Sequence, residues 1–440
     1  MADDTPPDSI DQSKEKKKSR RPANTAFRQQ RLKAWQPILT PKTVIPLFFA
    51  IGIICAPIGG LLLLASARVK YLSIDYTNCA RDAPTEELGP MNTDLIDFAF
   101  DDTNVTASWQ RFEGVNHTYG NYVVSGLTRC VINFKIEAEM KAPVLFYYSL
   151  ENFYQNHRRY VQSFYAEQLR GDPVTPAQVD SSSCDPLKLD DNGRAYYPCG
   201  LIANSLFNDT FSDLRLLNVP VPNAPRQDTD ERVYPMTSNG IAWDSDKELY
   251  KKTQITDYDT IVPPIYWQDR YPNGSYSEEH PPPDIGEDEH FMVWMRTAGL
   301  PDFSKLYARN DEDDMIPGTY SLEIIDSKQN AVYTMQGREY PSNKHVPDFR
   351  TDVYAGRKKI LFTELSVMGG HNNFLGILWL VVGGFCVILA VVFLITNFIK
   401  PRKLGDHTYL SWNNAPTSAA VKGKGKASGP PSAMATGRDI

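Results

Sequence analysis

The 440-residue sequence lacks the residue patterns on which most catalytic and metal sites are built. Its seven histidines are scattered, and no two stand at the i, i+4 spacing that brings two ligands to one face of a helical zinc site. Its six cysteines include no Cys-x-x-Cys pair, and neither a Gly-x-Ser-x-Gly hydrolase turn nor a phosphate-binding loop for ATP occurs. The sequence therefore predicts a protein that is not an enzyme and carries no metal or cofactor.

Two long segments, Thr43 to Ala67 and Asn372 to Ile399, contain no Asp, Glu, Lys, Arg or His. Because a bilayer core about 30 Å thick needs roughly 20 apolar helical residues to cross it, each segment is long enough to span a membrane. Intramembrane carboxylates or cations usually mark an ion or proton path, and neither segment contains one. The sequence thus predicts a two-pass membrane protein that does not act as a transporter on its own.

Charge at the two ends of the chain suggests its orientation. Residues 1–42 contain 10 Lys and Arg against 5 Asp and Glu, and residues 400–440 contain 7 against 2. Basic flanks normally stay in the cytosol, although the bias is slight when only residues near the spans are counted. We expect five parts: a cytosolic tail at 1–42, transmembrane helices at 43–67 and 372–399, an exoplasmic domain at 68–371 and a cytosolic tail at 400–440.

The middle segment has the cysteines and sequons of a protein that matures in an oxidising compartment. Its four cysteines, Cys79, Cys130, Cys184 and Cys199, allow three pairings, of which we favour the neighbour pairing because it closes the shortest loops. Four Asn-x-Ser/Thr sequons also occur there and none in the tails, and they are Asn104, Asn116, Asn208 and Asn273. Both features agree with an exoplasmic middle segment.

Short alternating runs dominate this segment and predict strands at Cys130 to Ala138, Val144 to Leu150, Tyr320 to Ile324 and Ile360 to Thr363. Leu300 to Arg309 instead places three apolar residues on one helical face and predicts a helix. The Pro-rich stretches Val219 to Pro235 and Tyr271 to Asp284 predict irregular connectors. We expect a large β-rich exoplasmic domain, an antiparallel β-sandwich with short helices and long loops.

Three places could contact another protein. The first is Asn152 to Tyr160, whose rings, amides and arginines could equally form a buried polar network or a binding surface. The second is the series Gly52, Ala56 and Gly60, whose small side chains would let another helix approach in lipid. The third is Phe27 to Trp35, where aromatic and basic residues precede the first span and suit the headgroup region or a partner's cytosolic face.

Several segments resemble, in order, the cell-cycle-control protein 50 / ligand-effect-modulator family. NFYQNHRRYVQS at 152–163 looks like its signature. The other matching segments are FRQQRLKAWQP (27–37), PVLFYYSL (143–150), PCGLIANSLFND (198–209), IAWDSD (241–246), HFMVWMRTAGLPDFSKLY (290–307) and GGHNNFLGILWLVVG (369–383). The resemblance extends from Phe27 to Lys403.

The resemblance implies a non-catalytic β subunit of a type IV P-type ATPase phospholipid flippase. Members bind the catalytic subunit as a hetero-dimer, and are needed for its folding, its exit from the endoplasmic reticulum and its transport cycle. The family pattern also implies neighbour pairing of the four cysteines. We expect contact with membrane phospholipids, none with nucleic acid, and residence in the endoplasmic reticulum, Golgi, endosome or plasma membrane. The residues that we expect at the partner interface are Phe27, Arg28, Trp35, Gly52, Ala56, Gly60, Asn152, Tyr154, Arg158, Arg159, Trp294 and Arg296.

Two other classes of protein share parts of this pattern. A two-pass ligand-gated channel subunit has the same topology, but it should form homotrimers and carry a polar stripe in a pore helix, which Asn372 to Ile399 lacks. A membrane-anchored ectoenzyme would need a catalytic constellation, and the sequence offers none.

Overall fold

The structure is a computed structural model that describes residues 24–32, 39–100, 105–119, 122–220, 229–326, 332–335, 338–341, 351, 354–366 and 369–401. The chain forms two compact units. The larger is Pro57–Leu380, and the smaller contains the remaining halves of both long helices.

The described residues form two long helices and seven short ones. The helices are α1 (Pro41–Ala67), α2 (Cys79–Asp82), α3 (Arg158–Gln162), α4 (Ala166–Leu169), α5 (Pro176–Asp180), α6 (Leu201–Asn204), α7 (Asp244–Lys247), α8 (Glu289–Met295) and α9 (Phe374–Ile399). Short 3-10 turns occur at Thr93–Leu95, Tyr258–Thr260, Ile265–Arg270 and Pro272–Gly274. The two long helices, α1 and α9, are long and apolar enough to cross a membrane. They coincide within two residues with the predicted spans.

Strands make up most of the domain between the two long helices. They are β1 (Tyr71–Asp75), β2 (Gly89–Pro90), β3 (Ile96–Ala99), β4 (Thr106–Tyr119), β5 (Tyr122–Ile136), β6 (Val144–Glu151), β7 (Ala195–Tyr196), β8 (Thr210–Phe211), β9 (Leu214–Pro220), β10 (Thr229–Tyr234), β11 (Ile261–Val262), β12 (Phe303–Asn310), β13 (Gly318–Asp326), β14 (Val332–Met335), β15 (Arg338–Pro341) and β16 (Arg357–Glu364). The four predicted strand segments correspond to β5, β6, β13 and β16, although β5 ends at Ile136, two residues before the predicted end at Ala138.

A five-stranded antiparallel sheet continues directly from the two long helices. Its order is β12-β6-β16-β1-β3, so β1, which follows α1, pairs with β16, which precedes α9. The backbone N–H of Glu364 donates to the carbonyl of Lys70 at 3.0 Å, three residues beyond the end of α1. A ring nitrogen of His371 lies 3.0 Å from the carbonyl oxygen of Ser66. These bonds tie the base of the sheet to the adjoining helix ends.

A second sheet packs against the first and completes a sandwich. It has nine strands, with the main order β10-β9-β13-β5-β14-β15, and β2, β4 and β8 attached at its sides. The rings of Phe134 on β5 and Phe362 on β16 lie 5.5 Å apart, and Phe146 on β6 stacks on Phe362 at 4.6 Å. Both sheets are antiparallel, which confirms the predicted β-sandwich.

Alternation of side chains explains the strands. On β5 the residues Cys130, Ile132 and Phe134 are fully buried, whereas the intervening residues point to the other face. A strand turns successive side chains to opposite faces, so such a pattern buries one face against the facing sheet. Burial of each large side chain contributes about 1.5–3 kcal/mol relative to leaving it in water.

A long insertion, residues 152–302, joins β6 to β12 and contains the short helices α3 to α8 and the two-stranded parallel pair of β7 and β11. Short helices in an insertion are what the sequence predicts. The disulfide of Cys184 and Cys199 closes a loop inside this insertion, and that of Cys79 and Cys130 joins α2 to β5. Both follow the neighbour pairing.

Two local predictions are wrong. Residues Phe303–Asn310 form the strand β12 rather than a helix, because they pair along their length with β6. The helical pattern there rested on only three apolar residues, and tertiary pairing outweighs so weak a local preference. Thr229–Tyr234 forms β10, although the sequence predicts an irregular connector over Val219 to Pro235. Pro220 ends β9 and Pro235 follows β10, so the hydrogen bonds between the two strands stay intact. A strand tolerates proline at its boundary.

Candidate partner interface

The segments 152–163 and 290–307, both of which match the family, lie together at the end of the five-stranded sheet opposite Lys70 and Glu364. The backbone N–H of Asn152 donates to the carboxylate of Asp302 at 2.8 Å, and the side-chain amide of Asn156 donates to the carbonyl of Gly299 at 3.0 Å. Asn152 has a φ of 61°, a left-handed conformation that asparagine tolerates better than most residues. The chain therefore turns sharply after β6 and folds over residues 298–302.

A buried glutamine forms the centre of this contact. Gln155 is fully buried, and its side-chain oxygen accepts from the backbone N–H of Ala298 at 2.9 Å. The hydroxyl of Tyr160 shares a hydrogen bond of 2.8 Å with that of Ser205. Burial raises the pKa of Tyr160 to about 12, so this hydroxyl stays protonated at physiological pH. Of the two interpretations of the segment, the buried polar network applies to its inward-facing residues.

Trp294 belongs to the same interior. Its side chain is 0% exposed, its ring packs against that of Phe153 at 5.8 Å, and its indole N–H donates to the carbonyl of Ile202 at 2.8 Å. Its prediction as an interface residue is corrected here, because a fully buried ring offers no surface to another protein. Trp294 instead supports the surface from within, by fixing α8 against α6.

Outward-facing residues of the loop do form a surface. Tyr154 is 57% exposed, and His157, Arg158 and Arg159 are exposed beside it at the start of α3. Exposed tyrosine and arginine are typical of interface anchors, because they bring large contact areas and several hydrogen-bond donors. The geometry places Tyr154, Arg158 and Arg159 where a second protein could reach them, and their role there stays a prediction.

Arg296 lies at the end of α8 and joins this end of the domain to a neighbouring loop. Its guanidinium carbon stands 3.4 Å from the ring centre of Trp243, and its Nη1 donates to the carboxylate of Asp246 at 3.1 Å. Arg296 is among the predicted interface residues, whereas Trp243 is not. The only sequence signal for Trp243 is its place in the segment IAWDSD, which cannot tell an exposed tryptophan from a buried one.

A buried lysine closes the end of α8. The ammonium of Lys305, on β12, donates to the backbone carbonyls of Val293, Trp294 and Arg296. Helix ends leave carbonyls without intrahelical partners, and a cation there also opposes the helix dipole. Burial, together with the positive charge of Arg296, lowers the pKa of Lys305 to about 7.

The small residues of α1 divide between two faces. A Cβ at Gly52 would lie 2.5 Å from the side chain of Val387 on α9, and Ala56 approaches Gly383 of the same helix. The prediction that Gly52 and Ala56 face a partner is therefore corrected, because they pack against this chain's own second long helix. Gly60 has nothing within 4 Å of its Cβ position and stays available to a partner. The buried stripe includes Gly59, not Gly60, because a helix turns 100° per residue.

The segment before α1 is described only in part. Phe27 and Arg28 lie in an exposed turn, and Arg28 donates its backbone N–H to the hydroxyl of Thr25 at 3.2 Å. Trp35 lies outside the described residues. The structure therefore leaves the prediction of an interface at Phe27, Arg28 and Trp35 as a prediction.

The sequons differ in accessibility. Asn116 on β4 and Asn273 are exposed, Asn208 is half-buried between α6 and β8, and Asn104 lies outside the described residues. Occupancy of these sites stays a prediction. Among the described residues, no group of three His, Cys, Asp or Glu side chains could hold a metal ion.

A groove of about 470 Å³ crosses the outer face of the five-stranded sheet. Its floor includes Tyr71, Tyr147 and Leu361, and Asp97 and Lys359 lie at its sides. The hydroxyl of Tyr71 donates to Asp97, and Lys359 pairs with Glu151, so these charged groups have partners within the domain.

Sequence comparisons agree on one family. A family model described as the LEM3 (ligand-effect modulator 3) family / CDC50 family matches residues 62–403. The phospholipid-transporting ATPase accessory subunit CDC50 of Chaetomium thermophilum is 42% identical over 402 residues, which cover 89% of this chain and 91% of that protein. The phospholipid-transporting ATPase accessory subunit CRF1 of Saccharomyces cerevisiae is 38% identical over 400 residues, 91% of each chain.

A mammalian protein is similar along most of its length as well. Cell cycle control protein 50A of Mus musculus is 36% identical over 391 residues, which are 86% of this chain and 90% of that protein. The matched residues 62–403 include the whole β-sandwich and the helix α9. With two membrane-spanning helices around an antiparallel sandwich and this extent of similarity, the chain belongs to the LEM3/CDC50 family.

Proposed function

We propose that this chain is the accessory subunit of a phospholipid-transporting P-type ATPase. It binds the catalytic subunit as a hetero-dimer and supports its folding, its export from the endoplasmic reticulum and its transport cycle. In this way it supports movement of phospholipid from the exoplasmic to the cytosolic leaflet. The observation that carries the proposal is the similarity of about nine-tenths of the chain to proteins named as such accessory subunits.

The chain itself is non-catalytic in this proposal, and the partner hydrolyses ATP. The two long helices support this non-catalytic role, because Pro41–Ala67 has a lysine only at its first turn and Phe374–Ile399 has no Asp, Glu, Lys, Arg or His. A helix pair without intramembrane charges lacks the groups that usually form an ion or proton path. Its packing through Gly52 and Gly59 fits a supporting role beside a larger membrane protein.

Both tails lie in the cytosol and the sandwich lies on the exoplasmic side, in a membrane of the secretory or endocytic system. Two disulfides in the domain between the long helices support this orientation, because disulfides persist in oxidising compartments. Glycosidase treatment of the full chain from its own cells should increase its gel mobility. Protease added to sealed microsomes should remove the tails and leave the sandwich intact, whereas a digested sandwich would reverse the orientation.

Co-purification from native membranes tests the function. The tagged full chain is extracted in a gentle detergent, and the proteins that accompany it are identified and quantified by mass spectrometry. A P-type ATPase in near-equal amount supports the proposal, and its identity narrows the transported lipid.

The rival interpretation is a two-pass ligand-gated channel subunit, which would elute as a homotrimer without such a partner. A homo-oligomer in this experiment, or ATP hydrolysis by the purified chain alone, would overturn the proposal.

A further inference from the structure

Trp243 is a highly exposed aromatic side chain to which the proposed function assigns no role. It is 63% exposed, although it lies in a folded domain outside the two long helices. Its neighbours Ile241 and Ala242 are buried, so the backbone on its N-terminal side is anchored in the domain. Exposed tryptophan in an ordered segment is uncommon, because tryptophan is highly buried on average.

Glu289 holds this loop in place. Its carboxylate accepts from the backbone N–H groups of Gly240 at 3.1 Å and Ala242 at 2.8 Å, and from the ammonium of Lys247 at 2.7 Å. Partial burial alone would raise the pKa of Glu289, but these three hydrogen bonds outweigh it and its pKa lies below the usual value. The carboxylate therefore stays charged and keeps the loop on both sides of Trp243 fixed.

Arg296 holds the ring itself. The guanidinium carbon stands 3.4 Å from the ring centre, and Asp246 fixes the guanidinium through Nη1 at 3.1 Å. Of the five N–H donors of this side chain, one is bonded to a side chain among the described residues. The ring and its cation are thus oriented before any partner arrives, and such preorganisation reduces the entropy that binding would otherwise cost.

The distance of this site from the base of the five-stranded sheet favours a protein, rather than lipid, as its binding partner. Asn310, at the end of β12, pairs with Val144, which pairs with Glu364 at the base of the sheet next to Lys70. Lys305 binds the carbonyl of Arg296 and lies five residues back along β12. At about 3.3 Å per residue, the backbone of Lys305, which holds Arg296, stands roughly 16 Å along β12 from that base. A ring at this height is beyond the headgroup layer that exposed tryptophans near membrane spans occupy.

We propose that Trp243 and Arg296 form the exoplasmic anchor for the catalytic subunit, with the indole entering an apolar pocket and the guanidinium meeting a carboxylate or carbonyl on its rim. The inference rests on the proposed function. Tryptophan and arginine are the residues most enriched among those whose truncation weakens protein complexes strongly. The surface is continuous with the end of the domain that carries Tyr154 and Arg158, because Arg296 leads directly into residues 298–302.

Substitution in the full chain, co-expressed with the catalytic subunit, tests the anchor. We expect Trp243→Ala to weaken recovery of the ATPase about tenfold and Trp243→Phe to restore much of it. Tyr266→Ala is the matched control, since Tyr266 is a second exposed aromatic, at 45%, and belongs to the 3-10 turn Ile265–Arg270 rather than to the loop that carries Trp243. Glu289→Gln should weaken recovery to a smaller extent, because it loosens the loop without removing the ring. Equal recovery by the wild-type chain and Trp243→Ala would overturn the inference.

Cross-linking identifies the occupant without relying on a variant's stability. A photoreactive phenylalanine analogue replaces Trp243 in one chain and Tyr266 in another, and both are irradiated in native membranes. A product with the mass of the ATPase formed only from position 243 supports the anchor. A product with lipid or with a second copy of this chain overturns it. If the wild-type chain recovers no ATPase, the proposed function itself fails; if it does and position 243 gives no such product, only the anchor fails.

Discussion

The Nζ atom of Lys358 lies 2.8 Å from Oδ2 of Asp209, with both side chains almost completely buried between the two sheets. Lys358 belongs to β16 in the five-stranded sheet, and Asp209 immediately precedes β8 in the nine-stranded sheet. The hydroxyl of Tyr76 donates to the same carboxylate at 3.0 Å, and its ring lies 5.4 Å from the ammonium. An ion pair thus joins the two layers in the buried interior of the domain.

Removing one partner of this pair should destabilise the fold strongly. We expect Lys358→Met to cost about 3–5 kcal/mol, because it leaves the carboxylate of Asp209 buried without its cation. The measurement is the shift in unfolding temperature of the purified full chain in detergent. Arg215→Met is the control, since Arg215 pairs with Glu231 at the surface and an exposed pair contributes about 0–1 kcal/mol. Equal shifts in the unfolding temperature of the two variants would show that the buried pair contributes no more to stability than the exposed pair.

Neighbouring glycines on α1 offer a matched test of helix packing. A Cβ at Gly59 would lie 2.8 Å from the backbone nitrogen of Leu380 and 2.9 Å from the carbonyl oxygen of Gly376, whereas Gly60 has nothing within 4 Å. We expect Gly59→Leu to separate the two helices and lower the yield of folded chain. Gly60→Leu should fold normally. If a partner helix lies on that face, Gly60→Leu will reduce recovery of the ATPase without reducing the yield of folded chain.

The experiment measures folded yield by size-exclusion chromatography in detergent, and complex yield by co-purification. Normal folding of Gly59→Leu would show that α9 does not approach α1 as closely as the structure indicates. Loss of folding in Gly60→Leu would show that this face also packs within the chain.

The burial of Lys305 should make the free energy of unfolding depend on pH. Burial and the charge of Arg296 lower the pKa of its amine from 10.5 to about 7 in the folded chain. Unfolding therefore takes up a proton between about pH 7 and 10.5, so the free energy of unfolding rises with pH across this window and its contribution is constant below about 7. We expect Lys305→Met to lack this rise when unfolding temperatures are compared from about pH 6 to pH 9.

Lys359→Met is the neighbouring control on the same sheet, because Lys359 is only partly buried and pairs with Glu151. It should retain the rise with pH. If Lys305→Met retains the rise too, the three carbonyl acceptors hold the ammonium charged and the pKa of Lys305 is close to its ordinary value.

Substitutions at Trp294 and Arg158 should distinguish an effect on folding from an effect on binding. Trp294→Ala removes a fully buried ring and should cost about 3–5 kcal/mol. Arg158 is exposed at the start of α3, so Arg158→Ala should leave the unfolding temperature unchanged and lower recovery of the ATPase. Unfolding temperature and co-purification, measured on the same preparations, distinguish the two effects. If neither variant changes either quantity, segments 152–163 and 290–307 form neither core nor interface.

The local sequence is sufficient to predict the general architecture. Uncharged runs long enough to cross a bilayer predict α1 and α9, because burial in lipid depends on the composition of a single segment. Alternation predicts strands such as β5, β13 and β16, because one face of a strand must be apolar to pack on another sheet. The order of the matching segments is by itself enough to indicate the family.

Only the tertiary structure decided which side chains face outward. Trp294 and Trp243 are equally prominent in the sequence, yet the first is buried beneath α6 and the second is exposed and held by Arg296. Phe303–Asn310 is a strand because β6 is available to pair with it, and Gly59 rather than Gly60 meets α9 because of its angle around the helix. Exposure and pairing depend on residues far away in the chain, and no local pattern of residues specifies them.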